Sequence, residues 1–254
     1  MGRNKYSADK MYAGFFKDRA DINILSCQEQ QDYAEAIIDP DVDLIFCNSD
    51  AGTGKTSTAV IAGAYLLETG QIDKIIYVRA PVATREIGHL PGTLDEKAMY
   101  FFKPIKNSID RLNGLTIGGK NRSTNFETMV EEGLIETYIT THIRGDDWSS
   151  ESLVIIDEAQ NLNLLELKSV ITRVHDGCKV VVIGSTSQID DPSNIKAYGN
   201  YTPFEVCIKH FTDYPMDNIT SKEFRLTENH RGYISKYADK MHETARKLID
   251  EYVI

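Results

Sequence analysis

Short apolar runs alternate along the chain with longer segments in which apolar residues recur every three or four positions. Leu44-Ile45-Phe46-Cys47, Lys74-Ile75-Ile76-Tyr77-Val78-Arg79, Leu153-Val154-Ile155-Ile156 and Lys179-Val180-Val181-Val182-Ile183-Gly184 are the clearest runs. Continuous apolar stretches of this length are the pattern of strands buried on both faces of a parallel sheet. The β-branched stretch Leu134–Thr140 predicts a further strand, and Phe224-Arg225-Leu226 a short one. Helical spacing predicts a helix from Gln28 to Ile37, with Tyr33, Ala34 and Ile37 inward and Asp39-Pro40 as the stop. Further helices are predicted over Ser57–Leu67, Phe126–Glu131, Leu162–Ile171 and Ile234–Tyr252, the last with apolar residues at Tyr237, Met241, Ala245 and Leu248. Residues 191–222 read as loop. Strand and helix in alternation predict an α/β domain, a mostly parallel sheet with helices on both faces. The 254 residues divide into a polar N-terminal extension, 1–24, and one domain, 25–254.

Two junctions in this pattern carry chemistry. Between the first strand and its helix lies Ser49-Asp50-Ala51-Gly52-Thr53-Gly54-Lys55-Thr56. Strand, small-residue turn and helix form the context of a P-loop. Backbone N–H groups of Gly52, Thr53, Gly54 and Lys55 can curl round a phosphate, and the helix N-terminus adds partial positive charge there. Asp50 to Ser57 are therefore candidate nucleotide-binding residues. Lys55 reaches the β- and γ-phosphates in such loops, and the Thr56 hydroxyl binds Mg2+. The motif usually opens with Gly, and here Ser49 holds that place. The second junction is Leu153-Val154-Ile155-Ile156-Asp157-Glu158-Ala159-Gln160, a buried strand that carries two acids to its C-terminal end. Asp157 is placed to hold Mg2+ through water, and Glu158 to polarise an attacking water.

Three further side chains have two readings each. Gln30, upstream of the loop, either reads an adenine edge or is a solvated helix glutamine. Gln188, beyond the Lys179–Gly184 strand, either senses a γ-phosphate or caps a turn. Arg231 either serves as an arginine finger or forms a salt bridge.

Composition narrows the partners. The formal charge is −10, which argues against a protein that coats nucleic acid by bulk attraction. A local exception lies within residues 93–136, a basic insertion: over 93–122, Lys97, Lys103, Lys106, Arg111, Lys120 and Arg122 face only Asp95, Glu96 and Asp110. Tyr100, Phe101 and Phe102 interleave with these lysines, so the strip either grips a phosphate backbone and stacks bases or is an amphipathic helix, 96–113, with its aromatics in the core. Gly118-Gly119 marks a turn. The four cysteines (27, 47, 178, 207) and six histidines have no metal-ligand spacing, and the cysteines read as free thiols in a reducing cytoplasm. No run is apolar enough to cross a membrane, so no membrane partner is expected.

Taken together and in order, Gln30-x-x-Tyr33, Ala51-Gly52-Thr53-Gly54-Lys55-Thr56, Arg79-Ala80-Pro81, Glu86-x-Gly88-x-Leu90-Pro91-Gly92-x-x-x-x-Lys97, Ile143-Arg144-Gly145, Asp157-Glu158-Ala159-Gln160-Asn161, Thr172-Arg173 and Gln188-x-Asp190 resemble the PhoH-like family, ATPases related to the superfamily 1 helicases. The resemblance spans most of residues 27–235. It implies a RecA-like P-loop core, ATP and Mg2+ as cofactors, and a link to RNA. Ser49 and Ser185 depart from it, standing where the family has Gly and Asp. Some relatives carry a ribonuclease domain, for which this chain is too short. The expected activity is ATP hydrolysis by in-line attack of water, acting on RNA or single-stranded nucleic acid in a helicase-like way; an ATP-gated binding or assembly module is the alternative, and a small-molecule kinase ranks last. Because the chain holds one RecA-like unit, an arginine finger is expected from a neighbouring subunit, with Arg231 the candidate, and a homo-oligomer, a hexameric ring, is the expected assembly.

Overall fold

Apolar strands need partners on both faces, and the helices between them supply these. The structure, a computed structural model, describes residues 26–80, 99–112, 114–122, 125–140, 143, 147–148, 151–190, 192–238 and 240–252. The 1–24 extension, the Glu86–Lys97 motif and Arg144-Gly145 lie outside the described residues. The elements are α1 (Gln28–Ile38), β1 (Leu44–Asn48), α2 (Lys55–Glu68), β2 (Lys74–Arg79), α3 (Lys103–Ile109), β3 (Leu115–Ile117), β4 (Lys120–Arg122), α4 (Phe126–Glu131), β5 (Ile135–Ile139), β6 (Ser152–Asp157), α5 (Leu164–Ile171), β7 (Lys179–Gly184), α6 (Pro203–Thr212), β8 (Ser221–Phe224), α7 (Tyr233–Ala238) and α8 (Met241–Tyr252).

Six strands form one sheet in the order β5-β2-β6-β7-β1-β8, and every pairing is parallel. Alternate residues of each strand enter opposite cores. On one face Ile45, Ile75, Tyr77, Leu153, Ile155 and Val181 pack under α1, α2, α3 and α4. On the other Phe46, Ile76, Val78, Val154, Ile156 and Val182 pack under α5 and α6. Helix α2 lies so close to the sheet that a Cβ on Gly63 would sit 2.8 Å from Leu153 Cδ2. The register sets Asn48 beside Gly184 and Arg79 beside Asp157, so the strand ends share one edge. That edge is where ligands bind in sheets of this kind.

Four features differ from the pattern-based expectation. The 191–222 stretch contains α6, opened by a capping box in which Thr202 and Glu205 exchange side-chain and backbone bonds, with Pro203 in the first turn. The turn expected at Gly118-Gly119, both at positive φ (59° and 74°), is present, but the two strands it joins into a hairpin, β3 and β4, are not in the pattern-based expectation. The eighth strand ends at Phe224 rather than starting there. The C-terminal helix is two helices, and its apolar residues are not core: Tyr237 is 80% and Met241 67% exposed, and Leu248 and Ala245 are exposed too. No helix among the described residues is long and apolar enough to cross a membrane.

At the edge of the sheet away from the P-loop, Lys179 Nζ donates to the carbonyls of Asp39 and Val42. Burial pushes its ammonium down from the ordinary 10.5 to about 8, against the opposing pull of Asp39 and Asp43. Between these values the unfolded chain holds the proton more tightly than the folded one, so this group's contribution to stability rises with pH. The prediction is that urea midpoints measured from pH 8 to pH 10 rise more steeply with pH for the wild type than for Lys179→Met, after the common background is subtracted.

Candidate nucleotide-binding site

Strand β1 delivers the chain to the loop and α2 carries it away. Gly52 and Gly54 hold φ of 79° and 83°, and Gly54 is the N-cap of α2. A Cβ on Gly54 would lie 2.6 Å from Gln30 Nε2, and one on Gly52 would lie 2.7 Å from Asn229 Oδ1. Glycine is therefore required at both positions by conformation and by space.

Each loop carbonyl from Asp50 to Gly54 has a donor. Asp50 O accepts from Lys55 Nζ and Thr53 Oγ1, both at 3.0 Å. Ala51 O accepts from Asn229 Nδ2 (3.3 Å), and Gly52 O from the His230 N–H (2.8 Å). Thr53 O accepts from Gln30 Nε2 (2.8 Å), and Gly54 O from the Thr58 N–H (2.8 Å). By contrast, the N–H groups of Gly52, Gly54 and Lys55 make no hydrogen bond among the described residues. Satisfied carbonyls and unsatisfied N–H groups are the polarity of an anion cradle.

Two clamps hold this loop. One is α1, whose Gln30 is buried with its amide bonded at both ends, to Thr53 O and from the Ser26 N–H. The other is the strap that follows β8. Leu226 donates its N–H to Ser49 Oγ at 2.7 Å, Thr227 bonds twice to Glu29, and residues 229–231 lie on the loop. Ser49 is thus a buried tether to the strap, and its φ is not positive, so a glycine is not needed there.

The acids stand at the tip of β6. Asp157 is buried, and Thr56 Oγ1 lies 3.3 Å from both of its oxygens. Tyr77 donates to Asp157 Oδ2, and Arg79 lies 3.6 Å from the same oxygen. Burial first, and Asp157 second, push the Tyr77 phenol well above its ordinary range, which keeps it a donor. Burial opposes the charge of Arg79, and Tyr77, Asp157 and Glu158 more than offset it. Glu158 adopts a left-handed backbone, φ 58°. Its carboxylate accepts from Arg79 Nη2 at 3.3 Å and from Gln160 Nε2 at 2.7 Å. Gln160 also donates to Gln188 O and accepts from the Ser185 N–H, so it joins the tips of β6 and β7. A buried carboxylate facing a hydroxyl is a donor set for a hard, oxygen-seeking cation.

The structure brings most of the predicted residues together and separates a few. Asp50 to Thr56, Gln30, Asp157 and Glu158 converge. Ser57 turns aside, accepting from Ser108 Oγ of α3. Gln188 is exposed in a turn, where its own N–H bonds Ser185 O; the buried link at this place is Gln160. Arg231 lies on its own P-loop, with Cγ and Cδ 3.0 Å from a Cβ position on Gly52. Ser185 Oγ and Ser187 Oγ bond each other at 2.9 Å and both face the Asp50 carboxylate of the loop. In the basic insertion, Phe102, Ile105 and Ile109 are buried and Lys106 pairs with Asp110 and Glu127. Among the described residues, 99–101 and α3 are helical, and these buried side chains are what the amphipathic-helix alternative expects. Tyr100, with Lys103 Nζ 4.3 Å over its ring, is the exposed aromatic of the three.

Comparison with known proteins gives the family. The profile of the PhoH-like protein family matches residues 24–241. The chain belongs to the PhoH-like family. A PhoH-like protein of Bacillus subtilis (strain 168) is 35% identical over 156 residues, 61% of this chain and 46% of that protein. Protein PhoH2 of the same organism is 34% identical over 160 residues, 62% of this chain and 35% of that protein. The chain thus spans less than half the length of these relatives. Among solved structures, the UvsW helicase from bacteriophage T4 overlays 88% of this chain and 69% of its own, at 13% identity and a TM-score of 0.47. The large terminase of a thermophilic bacteriophage, in complex with ADP, overlays 81% and 47%, at 14% identity and a TM-score of 0.43. Likenesses at these scores add nothing to the assignment, which rests on the sequence match. This PhoH-like chain carries a P-loop on an α/β core.

Because Gln30 serves the loop rather than an open base pocket, Gln30→Ala is predicted to weaken ATP and GTP binding alike, by about tenfold, the equivalent of about 1–2 kcal/mol for one lost buried hydrogen bond. Fluorescent-nucleotide titration checks this; a loss confined to ATP would return Gln30 to an adenine-reading role.

Proposed function

We propose that this chain is a Mg2+-dependent ATPase that acts on RNA or single-stranded nucleic acid in a helicase-like manner. The observation that carries the ATPase reading is the cradle: loop carbonyls engaged, N–H groups of Gly52, Gly54 and Lys55 free among the described residues. The nucleic-acid part draws on the family resemblance and on exposed Tyr100 with Lys103. Thr56 and Asp157 would hold Mg2+, which supplies charge neutralisation at the phosphates when bound. Lys55 leaves the Asp50 carbonyl for the phosphates. Water attacks the γ-phosphorus in line, the bond to the bridging oxygen breaks, ADP leaves, and Glu158 takes the proton from the water. Arg79 and Gln160 orient Glu158 for this, and Arg231 stabilises the departing charge from within the same chain.

The second reading is a nucleotide-gated module with little turnover. Both Glu158 oxygens are already engaged, which favours it. Steady-state phosphate release with Mg-ATP, with and without single-stranded RNA, separates the two. The ATPase reading expects turnover that RNA raises and that Glu158→Gln lowers by about 10²–10⁴-fold, the usual worth of a general base. Tight ATP binding with no release in either protein would leave the gated module.

For assembly we propose a homo-oligomer, a hexameric ring, in the cytoplasm. Tyr233, Ile234 and Tyr237 on α7 are 92%, 90% and 80% exposed, an apolar surface that a neighbouring subunit would cover. Light scattering with and without ATP should report a multimer, and Tyr233→Ser with Ile234→Ser should shift it toward monomer; a monomeric wild type under both conditions would sink the ring.

A further inference from the structure

The strap that holds the P-loop buries Leu226 and Asn229 and leaves the residues beside them exposed. Asn229 is buried and turned to the loop, with Nδ2 on Ala51 O. Glu228 and His230 flank it and are exposed. Across from them stands Cys27, the N-cap of α1, whose side chain makes no capping bond. We propose that Cys27, Glu228 and His230 form a binding site for a zinc-class divalent cation.

The geometry carries this. One ligand atom from each of the three residues lies within 4.8 Å of the other two. Cys27 Sγ is 4.0 Å from His230 Nε2, although the residues are 203 positions apart in sequence. Small rotamer changes would bring such a set onto one ion, whose ligands stand about 2.0–2.3 Å from it. The second ring nitrogen is already occupied: His230 Nδ1 bonds Ser26 Oγ at 3.1 Å. That orients the ring and leaves Nε2 facing Cys27, as a neighbouring hydrogen bond does for metal-bound histidines. Glu228 makes no ion pair among the described residues. The chemistry selects the metal class. Thiolate, imidazole and carboxylate together suit Zn2+, with water as fourth ligand, better than the oxygen-seeking Mg2+ or Ca2+. With thiolate and carboxylate ionised, the site carries two negative charges against a divalent ion.

Its position gives the site a consequence. Cys27 begins the helix that carries Gln30 to Thr53 O, and the His230 N–H holds Gly52 O. A metal here would staple the two clamps of the nucleotide loop to each other. Sequence spacing hides this, because the ligands come from opposite ends of the chain.

Cobalt serves as the probe. The full chain, free of nucleotide, is titrated with Co2+ alone, and then with Zn2+ in competition with a chromophoric chelator. The expected result is one equivalent of Co2+, a thiolate-to-cobalt charge-transfer band in the near ultraviolet, and displacement of that band by Zn2+. Cys27→Ser should remove the band, and Glu228→Gln and His230→Ala should each weaken Zn2+ by at least about tenfold. Ser26→Ala should weaken it by about 10–100-fold, the usual effect of losing an outer partner. Affinity should rise with pH, since thiol and imidazole must lose protons to bind. Because the other three thiols are buried, a test without variants is also available: Zn2+ should protect Cys27 from alkylation in the native protein. No saturable band, a band that survives Cys27→Ser in folded protein, or no protection by Zn2+ would overturn the site. None of these measurements involves ATP, so their failure leaves the ATPase reading standing.

Discussion

A loop that offers its N–H groups to an anion must turn its carbonyls the other way, and those carbonyls need donors. This constraint organises the chain around the P-loop. The five carbonyls from Asp50 to Gly54 are served by the loop's own Lys55 and Thr53, by α2, by Gln30 of α1 and by residues 229 and 230 of the strap. Buried backbone groups without partners cost about 1–3 kcal/mol each, so these donors decide whether the loop holds its shape. The parallel sheet serves the same end. Its register sets the ends of β1, β2, β6 and β7 on one edge, so Thr56, Arg79 and Asp157 meet without any long excursion of the chain.

Local pattern was enough for the loop and the acids, because both are continuous in sequence and each sits at the end of an apolar run. What sequence did not reveal is what holds them. Gln30 and Asn229 reach the loop from 23 and 178 positions away, and nothing in the spacing of either marks it as a loop donor. Gln188 stands in a motif and lies exposed beside a turn, while Gln160, inside the Asp-Glu-Ala-Gln run, makes the buried link. The signal for α6 was present in Thr202-Pro203-x-Glu205, a capping box with proline in the first turn, but the polar residues around it masked the helix. The C-terminal helices show a different limit. Their period correctly gives an apolar face, and period alone does not say what covers that face.

The departures at Ser49 and Ser185 have a common physical form. Each replaces an expected residue with a hydroxyl that bonds a neighbouring element, Ser49 to the strap and Ser185 to Ser187 beside Asp50. Position 49 needs no special backbone conformation here, so a tether costs the loop nothing. At 185 the hydroxyl, with that of Ser187, donates to the Asp50 carboxylate of the loop.

One amide ties the cradle to the outer surface. Asn229 Nδ2 bonds Ala51 O of the loop and also Ser235 Oγ, which belongs to α7. Helix α7 has no buried residue of its own, and this bond joins it to the strap. The cradle and α7 therefore meet at one side chain. A movement of α7 that carried Ser235 away would cost a hydrogen bond of the same amide that serves the loop.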